Sequence, residues 1–454
     1  METIRHLRVD PRPAVGILAV GAYVVVLFWA MSAATYNVWG AIMIAPVLVL
    51  LTLPIARRVA RSEEDPRIIR IILWALMLKL AASIVRHFVA FEVYDGSADA
   101  ARYIDYGQDM AQSFWHGIFD VETPAGSSGT EFTSYVVGVV FSLTGPTALG
   151  AYLVFSWLGF LGLCFFYRAF RIGIPDGDYR RYALLLFFLP SMLFWPSGIG
   201  KEAWMMLTLG ISAYGVARIL TGRPGGYLAG GLGVLGAAMV RPHMGALVAA
   251  SLVAAYPFRR GHVGRSMGPV ARVLGMAVLL AGLLVVVQAA EERFDVQNEG
   301  LQGAETAIDE AAEQTAKGGS EFEAVRPDSP LDIPMAAFSV LFRPLPHEAH
   351  NAQALVASFE GVLLIGLFAL ALPRLPGVAR QVWRRPYLLF SMAYSLLFVI
   401  AFSSFGNFGI LVRQRVQLFP LILIALAVPA VARAKRKPES TTASLAPAAP
   451  SPHR

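Results

Sequence analysis

Long apolar runs, separated by short polar segments, follow one another from residue 14 to residue 433. A helix needs roughly 20 apolar residues, at 1.5 Å rise each, to cross about 30 Å of hydrocarbon. The runs therefore predict an all-α, polytopic membrane bundle of about twelve transmembrane helices. The predicted spans cover residues 14 to 34, 38 to 56, 69 to 91, 146 to 167, 182 to 197, 203 to 219, 226 to 240, 244 to 258, 269 to 290, 352 to 372, 387 to 404 and 416 to 433.

Basic residues set the predicted orientation, because cytoplasmic loops of membrane proteins carry an excess of Lys and Arg. Twelve spans place the basic loops near residues 57 to 61, 168 to 181, 259 to 265, 380 to 385 and 433 to 437 on one side. Both termini are then expected in the cytoplasm. Residues 1 to 437 form the predicted transmembrane domain, and residues 438 to 454, rich in Ser, Thr, Ala and Pro, are expected to be a disordered cytoplasmic tail.

Two features of the apolar pattern depart from simple spans. Residues 133 to 144 are apolar, but counting them as a span would reverse the charge bias, so we expect an interfacial or re-entrant helix there. The four spans between residues 182 and 258 are short and are joined in pairs by outer turns that carry charge, at 195 to 202 and 240 to 243. Short, broken spans predict a polar concavity on the outer side.

Composition supports the membrane assignment. Of the 454 residues 56% are apolar and 15% are charged, against about 25% charged in a soluble domain. The net charge of +7 follows from the loop bias, so no nucleic-acid partner is expected. The single cysteine, Cys164, lies in an apolar run and excludes a disulfide within the chain. The expected location is the cytoplasmic membrane, among its lipids, and the oligomeric state is not indicated.

The first of two long outer loops, residues 92 to 132, brings two carboxylates close to the membrane. Asp95 and Asp99 are four residues apart, the spacing of neighbours on one helix face. Either could accept a proton from a hydroxyl group or coordinate a divalent cation, which is left open as a cofactor. The alternative is a helix start, where Asp is favoured by capping and by the helix dipole. We keep both aspartates as candidate catalytic residues.

Charged side chains also occupy the short outer turns. Lys201 and Glu202 follow a segment broken by prolines and glycines, where the ammonium could bind a lipid phosphate and the carboxylate could pair with it or act on an acceptor. Arg241 could bind phosphate through its fork of donors, and His243 could donate to a leaving phosphate. Snorkelling cations and a structural histidine are the alternatives. Glu202 and His243 join the catalytic candidates.

More arginines lie towards the C-terminus on the predicted outer side, where Arg is disfavoured. Arg343 follows the second long outer loop, residues 291 to 350, and Arg413 and Arg415 precede the last span. Together with Lys201 and Arg241 they are the predicted phosphate-binding residues. The spacing of the histidines near residue 348 is not that of a helical two-histidine motif, so no metal site is assigned.

Two of the predicted spans contain charged residues that bear on the site. Lys79 and Arg86 are seven residues apart in the third span and should face the bundle. Glu360 lies about two turns into the tenth.

The segments YDGSADAARYIDYG and FWPSGIGKE, with the number of spans and the outward charges, resemble the GT-C class of integral-membrane glycosyltransferases, near its protein mannosyltransferase-like and polysaccharide-polymerase-like bacterial members. The resemblance implies transfer of a sugar from a polyprenyl-phosphate donor at the outer face, with Asp95 or Asp99 as the catalytic carboxylate and Lys201, Arg241, Arg413 and Arg415 on the donor phosphate. The sequence departs from the class in its D-x-x-x-D spacing and in the lack of a soluble domain after the last span.

The expected function is therefore a membrane glycosyltransferase that builds a cell-envelope glycan or glycolipid. A polymerase or ligase acting on lipid-linked oligosaccharides is an alternative, since it also needs outward arginines. A transporter or flippase of lipid-linked saccharide is another, although the charges concentrate near one membrane face rather than the midplane. Neither the sugar nor the acceptor can be inferred from these residues.

Overall fold

The described part of the chain is built from α-helices, as the apolar pattern predicts. The computed structural model describes residues 12–63, 65–96, 99–121, 128–259, 268–294, 321–327 and 329–429. Within these ranges six helices are long and apolar enough to cross a membrane, or seven if one bent pair counts as a single span. The protein is therefore a polytopic membrane protein. The predicted tail, the basic cluster at 433 to 437 and much of the second outer loop lie outside the described residues.

Nineteen helices are numbered here in chain order. The first twelve are α1 Arg12–Ala33, α2 Tyr36–Glu63, α3 Pro66–Phe88, α4 Asp99–Trp115, α5 Ser128–Thr144, α6 Ala148–Gly173, α7 Tyr179–Phe188, α8 Pro190–Phe194, α9 Lys201–Leu220, α10 Gly226–Ala238, α11 Pro242–Ala255 and α12 Gly268–Phe294. The others are α13 Ile333–Phe342, α14 Ala352–Ala371, α15 Leu375–Val382, α16 Pro386–Phe402, α17 Phe408–Gln414, α18 Phe419–Ile422 and α19 Ile424–Ala427. A π-helical turn, Val89–Val93, extends α3.

Helix α9 lies at the centre of the bundle, between α6 and α10. Glycines allow this close packing: a Cβ atom added to Gly162 of α6 would lie less than 3.0 Å from the Met206 carbonyl of α9, and one added to Gly215 would meet the Gly230 backbone of α10. Small residues let backbones approach in this way in membrane helix pairs. The position of α9 fixes its first two residues, Lys201 and Glu202.

Judged by helix length and composition, the described residues contain fewer membrane spans than the twelve that the sequence predicts. Within the described ranges four further apolar helices are shorter than a full crossing, α12 contributes the short apolar stretch Val273–Val285, and the predicted span at 182 to 197 is not one helix. It breaks between α7 and α8, where Leu189 has an extended backbone. Pro190, which has no backbone N–H to donate, starts the next helix. Twelve crossings stay a prediction.

The first outer loop contains the expected helix, but it begins later than the aspartate spacing predicts. Asp95 lies in a turn before α4, with a left-handed backbone (φ 51°), and Gly96 is also left-handed (φ 68°). Asp99 is the first residue of α4. The two aspartates therefore do not share a helix face. Helix α4 packs on α5, the helix expected at residues 133 to 144, in a small core with Tyr152 of α6.

The last predicted span is bent and starts earlier than expected. It consists of Phe408–Gln417 and Phe419–Ala427, which meet at 51°. Asn407 caps the first part by accepting a hydrogen bond from the Ile410 N–H at 3.2 Å. Arg413 and Arg415, predicted to precede the span, lie within its first part. A short helix, α13, also lies inside the predicted second outer loop.

Ion pairs join helix ends at the predicted cytoplasmic side. Arg171 of α6 donates to Glu63 at 2.6 Å, and Arg180 of α7 donates to Asp65 at 2.7 Å. Asp65 also caps the start of α3. The Arg180 hydrogen bond, with the Arg67 backbone N–H, holds the pKa of Asp65 below its usual value.

Candidate functional site

A cavity of about 790 Å³ lies where the C-terminal end of α3 meets the starts of α4, α9 and α14. Part of its lining is charged or polar and part is apolar, as is usual for a pocket that binds an organic ligand. Its charged lining residues are Arg86, Asp99, Lys201, Glu202, Glu360 and Arg413. Its apolar wall includes Val89, Ala90, Val93, Phe194, Ile199, Val356, Ala357 and Val412.

Glu202 is the buried centre of the charged part, with 3% of its surface exposed. Its Oε1 lies 3.1 Å from Arg241 Nη2 and 3.1 Å from Arg413 Nε. Only the first contact has hydrogen-bond geometry, so the second is an ion pair by distance. A buried guanidinium, that of Arg241, and a partly exposed one, that of Arg413, therefore share one carboxylate oxygen. A charge buried in this way is stable only while its partners remain.

Arg413 connects this buried carboxylate to an exposed one. Its Nη1 lies 3.5 Å from Oδ2 of Asp99, which is exposed at the first residue of α4. Tyr103 lies one turn further along α4 and is buried. Burial, and then the nearby Asp99 and Glu202, raise the pKa of Tyr103, so its hydroxyl stays protonated and can donate a hydrogen bond. Asp99 is the cavity carboxylate that solvent or an acceptor can reach most easily.

Lys201 is held at the cavity by the turn that precedes α9. The turn packs closely: a Cβ atom added to Gly198 would lie less than 3.0 Å from Tyr152 and from Arg86. The N-cap of α9, Gly200, supplies no side-chain hydrogen bond. The first backbone N–H groups of a helix, with the positive end of its dipole, favour an anion. The Lys201 ammonium and the N-terminal end of α9 therefore both favour an anion at this part of the cavity.

Arg86 is a cavity residue that the sequence placed only on the bundle-facing side of α3. Its guanidinium lies 5.1 Å and 5.0 Å from the ring centres of Phe194 and Trp195. Lys79, two turns earlier, is fully buried and donates to the Met192 carbonyl at 2.7 Å. The prediction that both face the bundle is confirmed. Their spacing of seven residues was the available signal, but it did not show which of them reaches a cavity.

Glu360 is the second cavity residue outside the predicted site. It is 5% exposed, and both of its oxygens accept from Ser191: Oε2 from the backbone N–H at 3.0 Å and Oε1 from the hydroxyl at 2.7 Å. Its sequence position inside a span was a signal for function, but a partner 169 residues away could not be inferred from sequence.

Three of the predicted phosphate ligands, Arg241, Arg343 and Arg415, lie outside the cavity lining. Arg343 pairs with Glu348 at 2.7 Å and stacks over Phe322 at 4.6 Å. Arg415 is fully buried, and its Nη1 donates to the carbonyls of Leu341 at 3.3 Å and Arg343 at 2.5 Å. These two arginines hold the C-terminal end of α13.

The other candidates also have defined places. Arg241 does not line the cavity, but it forms an ion pair with Glu202, which does. His243, one residue into α11, packs beside Phe402 with ring centres 6.1 Å apart. Asp95 is exposed and does not line the cavity. No three His, Cys, Asp or Glu side chains in the described ranges are grouped as a metal site requires.

The cavity can bind an anion and receive a proton at the same time. Lys201, Arg413 and Arg86 supply positive charge, and Asp99 supplies an accessible carboxylate beside it. The apolar wall, formed by spans α3 and α14, can take a hydrocarbon chain.

The chain matches no family model, and neither a curated protein nor a solved structure matches it.

Proposed function

We propose that this protein is a membrane glycosyltransferase that uses a polyprenyl-phosphate-linked sugar at the outer face of the cytoplasmic membrane to build a cell-envelope glycan or glycolipid. The observation that carries the proposal is the cavity in which Lys201, Arg413 and Asp99 lie beside an apolar wall. Such a donor has a phosphate that cations bind and an isoprenoid chain that needs apolar contact. One ligand would therefore use both parts of the lining.

In the proposed reaction the hydroxyl oxygen of the acceptor attacks the anomeric carbon of the sugar. Asp99 accepts the proton of that hydroxyl group. The bond from that carbon to the phosphate oxygen breaks, and the phosphate leaves with the electron pair. Lys201 and Arg413 neutralise the charge that develops on it. Electrostatic stabilisation of this kind is commonly worth about 10² to 10³ in rate for a single donor, and a general base adds about 10² to 10⁴.

Glu202 has a positioning role in this proposal rather than a catalytic one. Because its Oε1 faces both Arg241 and Arg413, the carboxylate fixes the two guanidinium groups before a ligand arrives. Groups arranged in advance stabilise a transition state without a reorganisation cost at the moment of reaction. Arg241 supports the site through Glu202.

Twelve crossings with both termini in the cytoplasm belong to the same proposal. Helix α3 supports it, since its N-terminal end lies at the arginine-rich ion pairs and its C-terminal end at the cavity. If the arginine-rich side is cytoplasmic, as the positive-inside rule expects, the cavity opens on the outer side.

The direct test is transfer by purified protein in lipid vesicles, with polyprenyl-phosphate sugars as donors. We expect Asp99→Asn to lower the transfer rate by about 10² to 10⁴ and Arg413→Gln by about 10² to 10³. Asp105→Asn, an exposed change on the same helix, is the matched control and should keep wild-type turnover.

Measuring transfer by Asp95→Asn beside Asp99→Asn shows which of the two aspartates is the general base. A large loss in Asp95→Asn, with wild-type turnover in Asp99→Asn, would assign the base to the turn instead of the cavity. Wild-type turnover in both, and in Arg413→Gln, would exclude the mechanism. Long polymeric or ligated products would favour the polymerase or ligase alternative. Movement of the lipid-linked sugar across the vesicle membrane without transfer would favour the flippase.

A further inference from the structure

The cavity has a second polar group away from the cluster around Glu202. Helix α14 presents Ala352, Val356 and Glu360 to the cavity along one face, and eight residues of helix correspond to about 12 Å at 1.5 Å per residue. Glu360 therefore lies about 12 Å along the helix from the end that carries Ala352. The cavity is deep along the spans, and a carboxylate lies near its inner end.

Contacts between α3 and α8 support the same order of depth. Lys79 reaches the Met192 carbonyl, whereas Arg86, two turns closer to the outer end of α3, lies over Phe194 and Trp195. Ser191, the partner of Glu360, is next to Met192 in the chain and so lies on the inner side of Arg86. In the chain the aromatic pair follows Ser191 and precedes Lys201, and all four residues line the cavity.

The carboxylate of Glu360 has capacity for a ligand. An ionised carboxylate offers about four lone-pair sites, and Ser191 occupies two of them through its N–H and its hydroxyl. These two hydrogen bonds also fix the orientation of the group. The side chain is more than nine-tenths buried and lines the cavity. A donor inside the cavity could complete its hydrogen bonding.

Two buried cations, Arg415 and Lys79, lie near this inner end, so Glu360 gives it no excess of negative charge. Arg415 is fully buried, interacts electrostatically with Glu360, and its Nε and Nη2 have no hydrogen-bond partner among the described residues. A carboxylate balanced by a guanidinium has less attraction for a second cation. Neutral donors such as hydroxyl groups are then the better ligands, and Phe194 and Trp195, which also carry the Arg86 guanidinium, add aromatic surface to the lining beside them.

We propose that Glu360 and Ser191, with Trp195, form a subsite for an uncharged polyhydroxylated group, a neutral saccharide unit, separate from the phosphate-binding end of the cavity. The proposal deepens the proposed function and rests on it in taking this unit as part of the donor or of the acceptor. It assigns hydroxyl recognition to Glu360 and phosphate recognition to Lys201 and Arg413.

The test measures binding without turnover. Purified protein in phospholipid nanodiscs, free of glycoside detergent, is titrated with methyl hexosides and methyl pentosides by saturation-transfer NMR, and separately with a polyprenyl phosphate that carries no sugar. Glu360→Gln should weaken the binding of at least one neutral glycoside by about tenfold or more, the loss expected for a hydrogen bond to a charged group. Ser191→Ala, which frees the carboxylate, should weaken it less.

Two controls define the result. Glu131→Gln, the same change at an exposed position of α5, should leave the affinity for the glycoside unchanged. Glu360→Gln should also leave polyprenyl phosphate binding unchanged, whereas Arg413→Gln should weaken it. Thermal unfolding of each variant in the nanodisc shows whether it is folded, and Ser191→Ala carries the test if Glu360→Gln does not fold.

Three results would overturn the subsite: equal glycoside affinity in Glu360→Gln and Glu131→Gln, no binding of any neutral glycoside by the wild type, or tighter binding of an amino sugar than of its neutral counterpart. The outcome is separable from the proposed function. Sugar transfer that is insensitive to Glu360→Gln and Ser191→Ala removes the subsite alone, and glycoside binding without any transfer removes the transferase alone.

Discussion

At the residue scale, Glu202 shows how a buried charge is made stable in this protein. One oxygen faces Arg241 and Arg413, each at 3.1 Å, and the side chain is almost fully buried. Removing one member of such a group leaves a buried charge without compensation. The same contacts that fix the cavity therefore also contribute to folding.

We predict that Glu202→Gln lowers the free energy of unfolding by about 3 to 5 kcal/mol, because two guanidinium groups lose their shared anion. The exposed change Glu131→Gln should remain within about 0.5 kcal/mol of the wild type. The measurement is unfolding in detergent micelles followed by circular dichroism. Adding Arg241→Met to Glu202→Gln should restore part of the loss, and a double variant less stable than the single one would contradict this account.

Asp65 gives a prediction for pH. Its pKa is lowered in the folded protein, chiefly by the hydrogen bond from Arg180, so the folded state binds protons less readily than the unfolded state. The pair therefore stabilises the fold above the usual Asp pKa of about 3.9, and this stability is lost as the pH falls through the lower, folded-state pKa.

Unfolding measured between about pH 6 and pH 2.5 should show a smaller loss of stability for Asp65→Asn than for the wild type, since the variant has no such group to protonate. Asp105→Asn, on the exposed face of α4, is the control and should follow the wild-type profile. Parallel profiles for the wild type and Asp65→Asn would show that the ion pair has no share in acid stability.

At the element scale, glycine decides how closely the central helices pack. Gly233 of α10 faces Ser212 and Thr208 of α9 so closely that an added Cβ would lie less than 3.0 Å from the Ser212 backbone N. Gly231, on the same helix, is exposed and has nothing within 4 Å of an added Cβ. Two glycines two residues apart therefore have different roles.

Gly233→Ala should destabilise the protein by about 1 to 3 kcal/mol, because overpacking forces the two helices apart. Gly231→Ala should be neutral or stabilise by up to about 1 kcal/mol through helix propensity. The thermal midpoints of the two variants can be compared directly. Equal midpoints would mean that α9 and α10 separate at little cost, and that Lys201 is not held by this contact.

The positions and angles of helix breaks are harder to predict from sequence than the helices themselves. Pro190, Pro334 and Pro420 each stand in the first turn of a helix that follows a break, but the 51° angle after Gln417 could not be read from a proline. The start of α4 also depended on the backbone of Asp95 and Gly96, whose left-handed conformations end one helix before the next begins. Capping patterns predict where helices start, whereas tertiary packing decides which broken helices form one span.

At the scale of the whole molecule, the helical membrane fold and four of the charged residues at or beside the cavity could be predicted for one physical reason. A charge at the membrane is costly, so Lys201, Glu202, Arg241 and Arg413 were conspicuous in apolar surroundings. The pairing of Glu202 with two arginines could not be predicted, because it depends on three distant segments. For the same reason Arg343 and Arg415, equally conspicuous, could not be distinguished from cavity residues.

The predicted orientation can be tested on the whole molecule with added cysteines. Cys164 is buried, so it should react little with a polar maleimide. Asp105→Cys lies at the cavity end and Arg223→Cys in the turn after α9, and both positions are exposed. We expect the first to be labelled in intact cells and the second only after permeabilisation. The reverse pattern would place the cavity in the cytoplasm and exclude donor use at the outer face.

The segment at Phe322 determines how stiff one wall of the cavity is. The Phe322 N–H donates to the Gly406 carbonyl at 2.9 Å, and its ring stacks on Phe408, the first residue of α17, with centres 4.0 Å apart. A movement of α17 that widened the cavity at Arg413 would have to carry Phe322 with it or lose both contacts, at about 1 kcal/mol each. Because Arg413 lies on α17, the same two contacts resist a displacement of its side chain away from the cavity, so a substrate has to fit around this arginine rather than push it aside.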